Sequence, residues 1–398
     1  MNVVVTKTGF FTRLKNSVVG ILIGIVAVLG SMWMLGWNEF RTVKERKGLD
    51  QASSIVQAAA LDRIDPNLDG KLVYLSGRAE TASGTLDAEF QLQRDALALF
   101  REVEMYQWAE KKTTRTEKNV GGGETTTTTY SYSKKWSDDP IDSNSFNDSS
   151  HRNPGTFPIT ARSILADDAK LGAYGLTDGQ IGAIGGRQEV PVSAFDEPLL
   201  ADGWKPTAGF VFRGNNPQSP DVGDLRLRFT EVPPTQISLV AAQTGGSFTP
   251  FLTSYKTSID LLETGAVSVK DMFEHAHSAN SALGWVLRGI GFAVMWLGFA
   301  MTLQPLRVLA DVIPPIGRLV GGIGGMLSFL LAAMLSALTI SIAWMFSRPL
   351  MVLSVLTVGI GVVMLIGQLR GGSAAKNQPA VMPPAAPPPP PPPPPRAF

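Results

Sequence analysis

Three histidines, His151, His275 and His277, are the residues whose types first invite chemistry. Glu274-His-Ala-His277, with Asp271 nearby, has the residue types of a metal site. Two residues apart on a helix, side chains point to nearly opposite sides. The segment reads as helix and no further ligand cluster is evident, so a solvated pair beside the membrane is expected. His151 follows a Ser/Asp-rich stretch and precedes Arg152-Asn-Pro154, which leaves open a Ser–His–acid hydrolytic site with His151 as base. No G-x-S-x-G elbow accompanies it. No Walker A sequence exists, and the glycine clusters 321–325 and 359–361 fall in apolar runs rather than phosphate loops. Asp138-Asp139 and Asp167-Asp168 read as turn and cap residues. The chain has no cysteine, which removes disulfides, thiolate metal sites and Cys nucleophiles together. No catalytic residue, metal or cofactor is therefore expected. A formal net charge of +1 provides no field that would draw nucleic acid.

A second constellation is aromatic: Tyr106, Trp108, Tyr130, Tyr132 and Trp136. Residues 109–136 read as a hairpin, with Thr- and Tyr-rich strand composition on both sides of the turn Asn119-Val-Gly-Gly-Gly-Glu124. Cross-strand aromatic pairs there would stabilise a sheet by a few tenths to about 1 kcal/mol each. The same rings could instead present a surface to a protein partner or to lipid headgroups.

The elements that position these residues are set by hydropathy. Residues 17–37 contain no charge and end in bulky residues with two tryptophans, which favours an uncleaved membrane span over a signal peptide. Further spans are expected at 282–303, 319–346 and 349–369, with Arg288 in the second snorkelling to the headgroups. The fold expected is a membrane protein with four transmembrane α-helices, one N-terminal and three C-terminal, plus a large α+β extramembrane domain rich in antiparallel strands. That domain, residues 38–281, is periplasmic or lumenal in this reading. Residues 1–16, the loop 304–318 and the Pro-rich tail 370–398 are cytoplasmic by the excess of Lys and Arg in them, although Arg41, Lys44, Arg46 and Lys47 oppose the assignment. Within the domain, helix is expected over 38–61 and 253–280, and strand over 71–77, 225–230 and 236–242. Pro387 to Pro395 must adopt polyproline II and could dock on a protein partner.

Small residues recur on helix faces. Gly20 and Gly24, Gly317 and Gly321, and Gly321 and Gly325 are four apart, and Gly284, Gly291 and Gly298 are seven apart. Such faces let helices approach closely, within one chain or between chains, and the heptad set is the better candidate for contact between copies. Apart from Arg288, no ionisable residue lies inside a span, which disfavours a coupled transporter.

Asn38-Glu-Phe-Arg-Thr-Val43, Val103-Glu-Met-Tyr-Gln-Trp-Ala-Glu110, Tyr130-Ser-Tyr132, Trp136, Asn144, Phe146 and His151-Arg-Asn-Pro154 together resemble the transmembrane protein 43 family. So do Leu287-Arg-Gly-Ile-Gly-Phe-Ala-Val-Met295 and Trp344-Met-Phe-Ser-Arg-Pro-Leu350. The resemblance covers nearly the whole chain except the proline tail. It implies a large lumenal domain in eukaryotic members, at the endoplasmic reticulum and inner nuclear membrane, with self-association and the organising of membrane protein complexes. The composition here looks bacterial, which would make the membrane a bacterial inner membrane and the domain periplasmic. Three functions follow in order: a self-associating, non-catalytic scaffold; an oligomeric pore, to which Ser328, Ser336, Thr339 and Ser341 would add polarity; and a membrane-bound hydrolase.

Overall fold

The computed structural model describes residues 2–195, 203–207 and 209–347, in two compact units, 1–340 and 341–398. Of the second unit, the described residues continue the last helix. The expected span 349–369 and the tail 370–398, proline run included, lie outside the described residues.

The first unit begins with a strand, β1 (Asn2–Thr8), and a helix, α1 (Phe10–Ile55). The domain follows, with β2 (Leu72–Glu80), β3 (Ala98–Lys118), β4 (Glu124–Ser137), β5 (Trp204–Thr207), β6 (Phe210–Arg213), β7 (Leu225–Val232), β8 (Thr235–Thr244), β9 (Ser247–Thr249) and β10 (Leu261–Thr264). The chain then re-enters helix as α2 (Val269–Thr302), α3 (Gln304–Ala310) and α4 (Pro314–Ser347). Among the described residues, α1, α2 and α4 are each long and apolar enough to cross a membrane.

One sheet has the order β1-β4-β3-β7-β6-β5, all antiparallel. A second is built on the antiparallel pair β2 and β8, with β9 and β10 paired to β8. The strict alternation of Leu225-Arg-Leu-Arg-Phe-Thr230 puts Leu225, Leu227 and Phe229 in the core, while Arg226 reaches across to Glu104 at 2.6 Å. Val73, Leu75, Ile237 and Leu239 of one sheet meet Leu97, Ala98, Phe100 and Val232 of the other in a shared core. A separate cluster joins domain to helices: Leu49 and Ala52 of α1 and Met272 and Phe273 of α2 pack on Leu72, Val240 and Ile259.

Residues 253–268, expected as helix, are not helical. Phe251–Leu252 pairs with Ser258–Ile259, and Leu261–Thr264 completes an edge of the second sheet. Unpaired backbone on β8 attracts this segment more strongly than its weak helical period holds it. Gly265, at φ +103°, then turns the chain, and the Ser268 hydroxyl caps α2 by accepting from Asp271 N–H.

Helices α1 and α2 pack along their length. Gly24 and Gly298 face each other so closely that a Cβ on Gly298 would sit 2.8 Å from the Gly24 carbonyl oxygen. Gly291 lies under Leu35, Gly284 under Thr42, and Gly20 near Gln304 and Met301. The heptad face considered for contact between copies is thus filled by the chain's own first helix. Where the helices leave the apolar layer, polar groups lock their register. Asn38 Nδ2 donates to the Gly284 carbonyl and Asn280 Nδ2 to the Thr42 carbonyl, both at 3.0 Å. Arg288 does not snorkel. It forks onto the buried Glu39 carboxylate at 2.6 and 2.8 Å and lies over Trp285. Pairing wins because the helix contact already buries Glu39, and a carboxylate held out of water favours a cation beside it. Leu35, Met295 and Ala332 form the buried centre between α1, α2 and α4.

Leucine at Gly298 should force α1 and α2 apart, whereas leucine at Gly289, where none of the described residues lies within 4 Å of an added Cβ, should be tolerated. Overpacking of this kind costs about 1–3 kcal/mol. Thermal unfolding in detergent should show a lowered midpoint for Gly298→Leu alone, and equal midpoints for the two variants would contradict the packing described.

Candidate functional site

The aromatic residues of the hairpin do not form one cluster. Tyr106 on β3 and Trp136 on β4 are register partners with ring centroids 5.2 Å apart, and the Arg226 guanidinium lies over Trp136 at 4.5 Å. Trp108 and Tyr132 instead enclose His151. The indole meets the imidazole edge-on at 4.4 Å, and the phenol stacks flat on it at 4.1 Å. Tyr132 donates its hydroxyl to Glu110 at 2.7 Å; burial, aided by this bond, pushes its pKa up to about 12. Tyr130 stands apart, opposite Lys112, whose ammonium lies 5.9 Å over its ring. Nothing in residue spacing announces His151 as the filling of this sandwich, because it arrives from a loop outside the hairpin.

His151 has the neighbours of a hydrolytic site but not the geometry. Ser150 Oγ at 3.2 Å and Asp148 Oδ2 at 3.5 Å both approach the same ring nitrogen, Nδ1. A Ser–His–acid relay needs hydroxyl and acid on opposite nitrogens. The three residues form a turn. Asn153, from the same loop, spans Trp108 by accepting from its N–H at 2.7 Å and donating to its carbonyl at 2.9 Å. Asp168 is likewise a fastening: its carboxylate accepts from the Thr81 and Ser83 hydroxyls and from the Ala82 and Ser83 N–H groups, and these bonds hold it well below the usual carboxylate range. His275 and His277 diverge to different carboxylates, Glu263 at 3.0 Å and Asp50 at 3.3 Å. Among the described residues no group of three or more His, Asp or Glu is placed to hold a metal.

The arrangement with consequences for function is the far end of the hairpin. Residues 2–8, expected within a cytoplasmic N-terminal tail, form β1 and pair with β4 from Asn2 opposite Tyr130 to Thr8 opposite Glu124. The β-branched run Val3-Val-Val-Thr6 was the available signal. β1, β4 and the outer half of β3 make a three-stranded ribbon whose tip is bolted to the helices. Asp311, fully buried in the turn between α3 and α4, accepts from Arg13 Nη2 at 2.6 Å and Lys118 Nζ at 2.5 Å. Arg13 also pairs with Glu124 at 3.1 Å and donates to the Gly122 carbonyl, and Gly121 N–H donates to the Val312 carbonyl at 3.1 Å. Burial alone would raise the Asp311 pKa. The bonds from Lys118 and Arg13 outweigh it and hold the carboxyl below its ordinary value.

These bonds fix lengths. From Met105 to Lys118 the strand covers about 44 Å at roughly 3.4 Å per residue. From Arg13 to Glu39 the helix covers about 39 Å at roughly 1.5 Å per residue. The ribbon therefore extends from the domain along the whole apolar part of α1 to its far end. Its side chains are mostly polar, with Lys111, Lys112, Arg115 and Glu117 on β3, the threonine run 125–129 on β4, and Thr6 and Lys7 on β1, where Val3, Val4 and Val5 are the exposed apolar exceptions. By contrast, the hydroxyls of Ser328 and Thr339, read as polarity for a pore, bond back to carbonyls of their own helix, and Ser336 meets Met295 Sδ.

A family model described as Transmembrane protein 43 matches residues 105–349, from the base of the hairpin to just beyond α4. The chain is similar to Transmembrane protein 43 of Homo sapiens, 28% identical over 376 residues that cover 91% of this chain and 92% of that one. It is similar to the mouse (Mus musculus) protein, 27% identical with 86% and 88% covered, and to a Transmembrane protein 43 homolog of Drosophila melanogaster, 29% identical with 82% and 89% covered. No solved structure matches.

Asp311→Asn should leave Arg13 and Lys118 facing an uncharged partner, a loss on the order of 3 kcal/mol for a largely buried pair. Because the folded carboxyl titrates below the unfolded one, its stabilisation is present above pH about 4 and is lost as pH falls through the carboxylate range. The gap between wild-type and Asp311→Asn unfolding midpoints should be wide at pH 7 and narrow at pH 3. A gap independent of pH would contradict the assignment.

Proposed function

The chain belongs to the transmembrane protein 43 family, and on that premise we propose that it is a non-catalytic multi-pass membrane scaffold that self-associates and organises membrane protein complexes or membrane structure. The observation that carries the proposal is the polar ribbon lying alongside apolar helices. A charged side chain at the centre of a bilayer costs about 2.5–3.5 kcal/mol on the insertion scale, so Lys111, Lys112, Arg115 and Glu117 alone would cost on the order of 10 kcal/mol in lipid. Open strand edges in hydrocarbon add unsatisfied N–H and C=O groups. Among the described residues nothing encloses the ribbon within one chain, because α1 and α2 spend their facing surfaces on each other. Several copies with helices outward and ribbons inward would keep each in its proper solvent.

The extramembrane domain, joined to the bilayer by two continuous helices, would then be displayed as a rigid ring for protein partners. In the proposed orientation the body of the domain within residues 38–281 lies outside the cytoplasm, its ribbon reaches back across the membrane layer, and the α3 turn, with Arg307 and Arg318, faces inward. The relatives reported are animal proteins, so the bacterial inner membrane suggested by composition is not carried into the proposal.

A second reading, an oligomeric pore, is favoured by the same ribbon, since polar strands enclosed by helices need water beside them. Particle mass of the full-length protein in nanodiscs tests both. A large, discrete oligomer is expected, and a monomer that persists at high concentration would overturn self-assembly. Conductance of the oligomer in planar bilayers would then favour the pore over a closed scaffold.

A further inference from the structure

Beside the bolted tip the membrane helices part. A groove of about 640 Å³ opens between the end of α2, α3 and the start of α4. Its walls are apolar, with Leu297, Met301, Leu306, Val320, Ile323 and Leu327, while Arg13, Lys118, Glu124 and Arg307 stand at its rim. Glycine makes the room. Among the described residues, a Cβ added at Gly324 or Gly325 would meet nothing within 4 Å. Gly321 lies beneath Arg307, where a Cβ would sit 2.7 Å from the guanidinium Nε. This small-residue stretch of α4 therefore leaves a trench and lets an arginine lie along its edge.

The charges at the rim do not cancel. Arg13 and Lys118 are taken up by Asp311 and Glu124. Arg307 is exposed, and among the described residues no carboxylate pairs with it. Water is a poor occupant for apolar walls and a free anion would satisfy only the arginine. We propose that the groove holds an anionic phospholipid, with an acyl chain in the glycine trench and the phosphate on Arg307. Both demands, apolar contact and negative charge, are met by one molecule that the membrane supplies in excess, and the volume lies within the ordinary range for ligand sites, roughly 300–1,000 Å³. A basic site between membrane helices is the usual setting for such headgroups. The inference rests on the helices being in the membrane and does not depend on self-assembly.

Full-length protein would be extracted from vesicles containing equal phosphatidylglycerol and phosphatidylcholine, and the lipids it retains counted by native mass spectrometry. Wild type should retain the anionic lipid in roughly tenfold preference, the ratio that corresponds to about 1.4 kcal/mol. Arg307→Gln should retain both lipids without preference. Gly324→Leu, which enters open space and should unfold at the wild-type temperature, should lose one retained lipid of either kind. Equal retention of the two lipids by wild type would overturn the proposal. So would an unchanged preference in Arg307→Gln, or undiminished retention in a Gly324→Leu protein that unfolds as wild type.

Discussion

Two kinds of backbone cover the same distance in this protein and demand opposite solvents. The helix from Arg13 to Glu39 is apolar outward, with Leu22, Val26, Leu29 and Trp33 exposed. The ribbon is polar on both faces of β3 and β4 and bears charge along β3, its valines confined to β1. The bond network around Asp311 makes the juxtaposition a constraint, because it ties the ribbon tip to the far ends of α1 and α3. Without it the hairpin could fold back against the domain and the helices could sit in lipid alone. With it, helices suited to hydrocarbon and a ribbon suited to water lie side by side, and among the described residues nothing separates the two solvents.

The remaining structure serves that arrangement. Gly24, Gly291 and Gly298 bring α1 and α2 into backbone contact, and Arg288 on Glu39 with Asn38 and Asn280 fixes their register where they leave the apolar layer. The cluster of Leu49, Ala52, Met272 and Phe273 then carries that register into the domain. The hairpin base, braced by Tyr106 on Trp136 and by His151 between Trp108 and Tyr132, gives the ribbon a fixed root. At both ends the membrane helices join the domain through packed elements rather than through linkers.

What could be read from the residues was what depends on neighbours in the chain. Apolar runs announce α1, α2 and α4, alternation announces β7, and threonines around three glycines announce the β3–β4 turn. What escaped depends on distant partners. β1 was not foreseen because seven residues become a strand only when β4 offers an edge. Asp311 looks like any loop acid until Arg13 and Lys118 arrive from elsewhere in the chain. Residues 253–268 look helical in isolation because the open edge of β8, which decides their state, is invisible locally. Arg288 was given to the headgroups because Glu39 lies on another helix. The glycine faces were legible as faces, but α1 filling the heptad set and the trench beside Gly324 were not.

The absence of cysteine from the chain gives the central claim a clean test. Thr114→Cys, exposed on β3 midway along the ribbon, and Leu22→Cys, exposed on the apolar side of α1, would each be the sole thiol in the protein. Both would be treated in open native membranes with a charged, membrane-impermeant thiol reagent. The account predicts rapid labelling at position 114 and none at position 22 until detergent is added. A thiol at 114 as protected as that at 22 would place the ribbon in lipid and contradict the account.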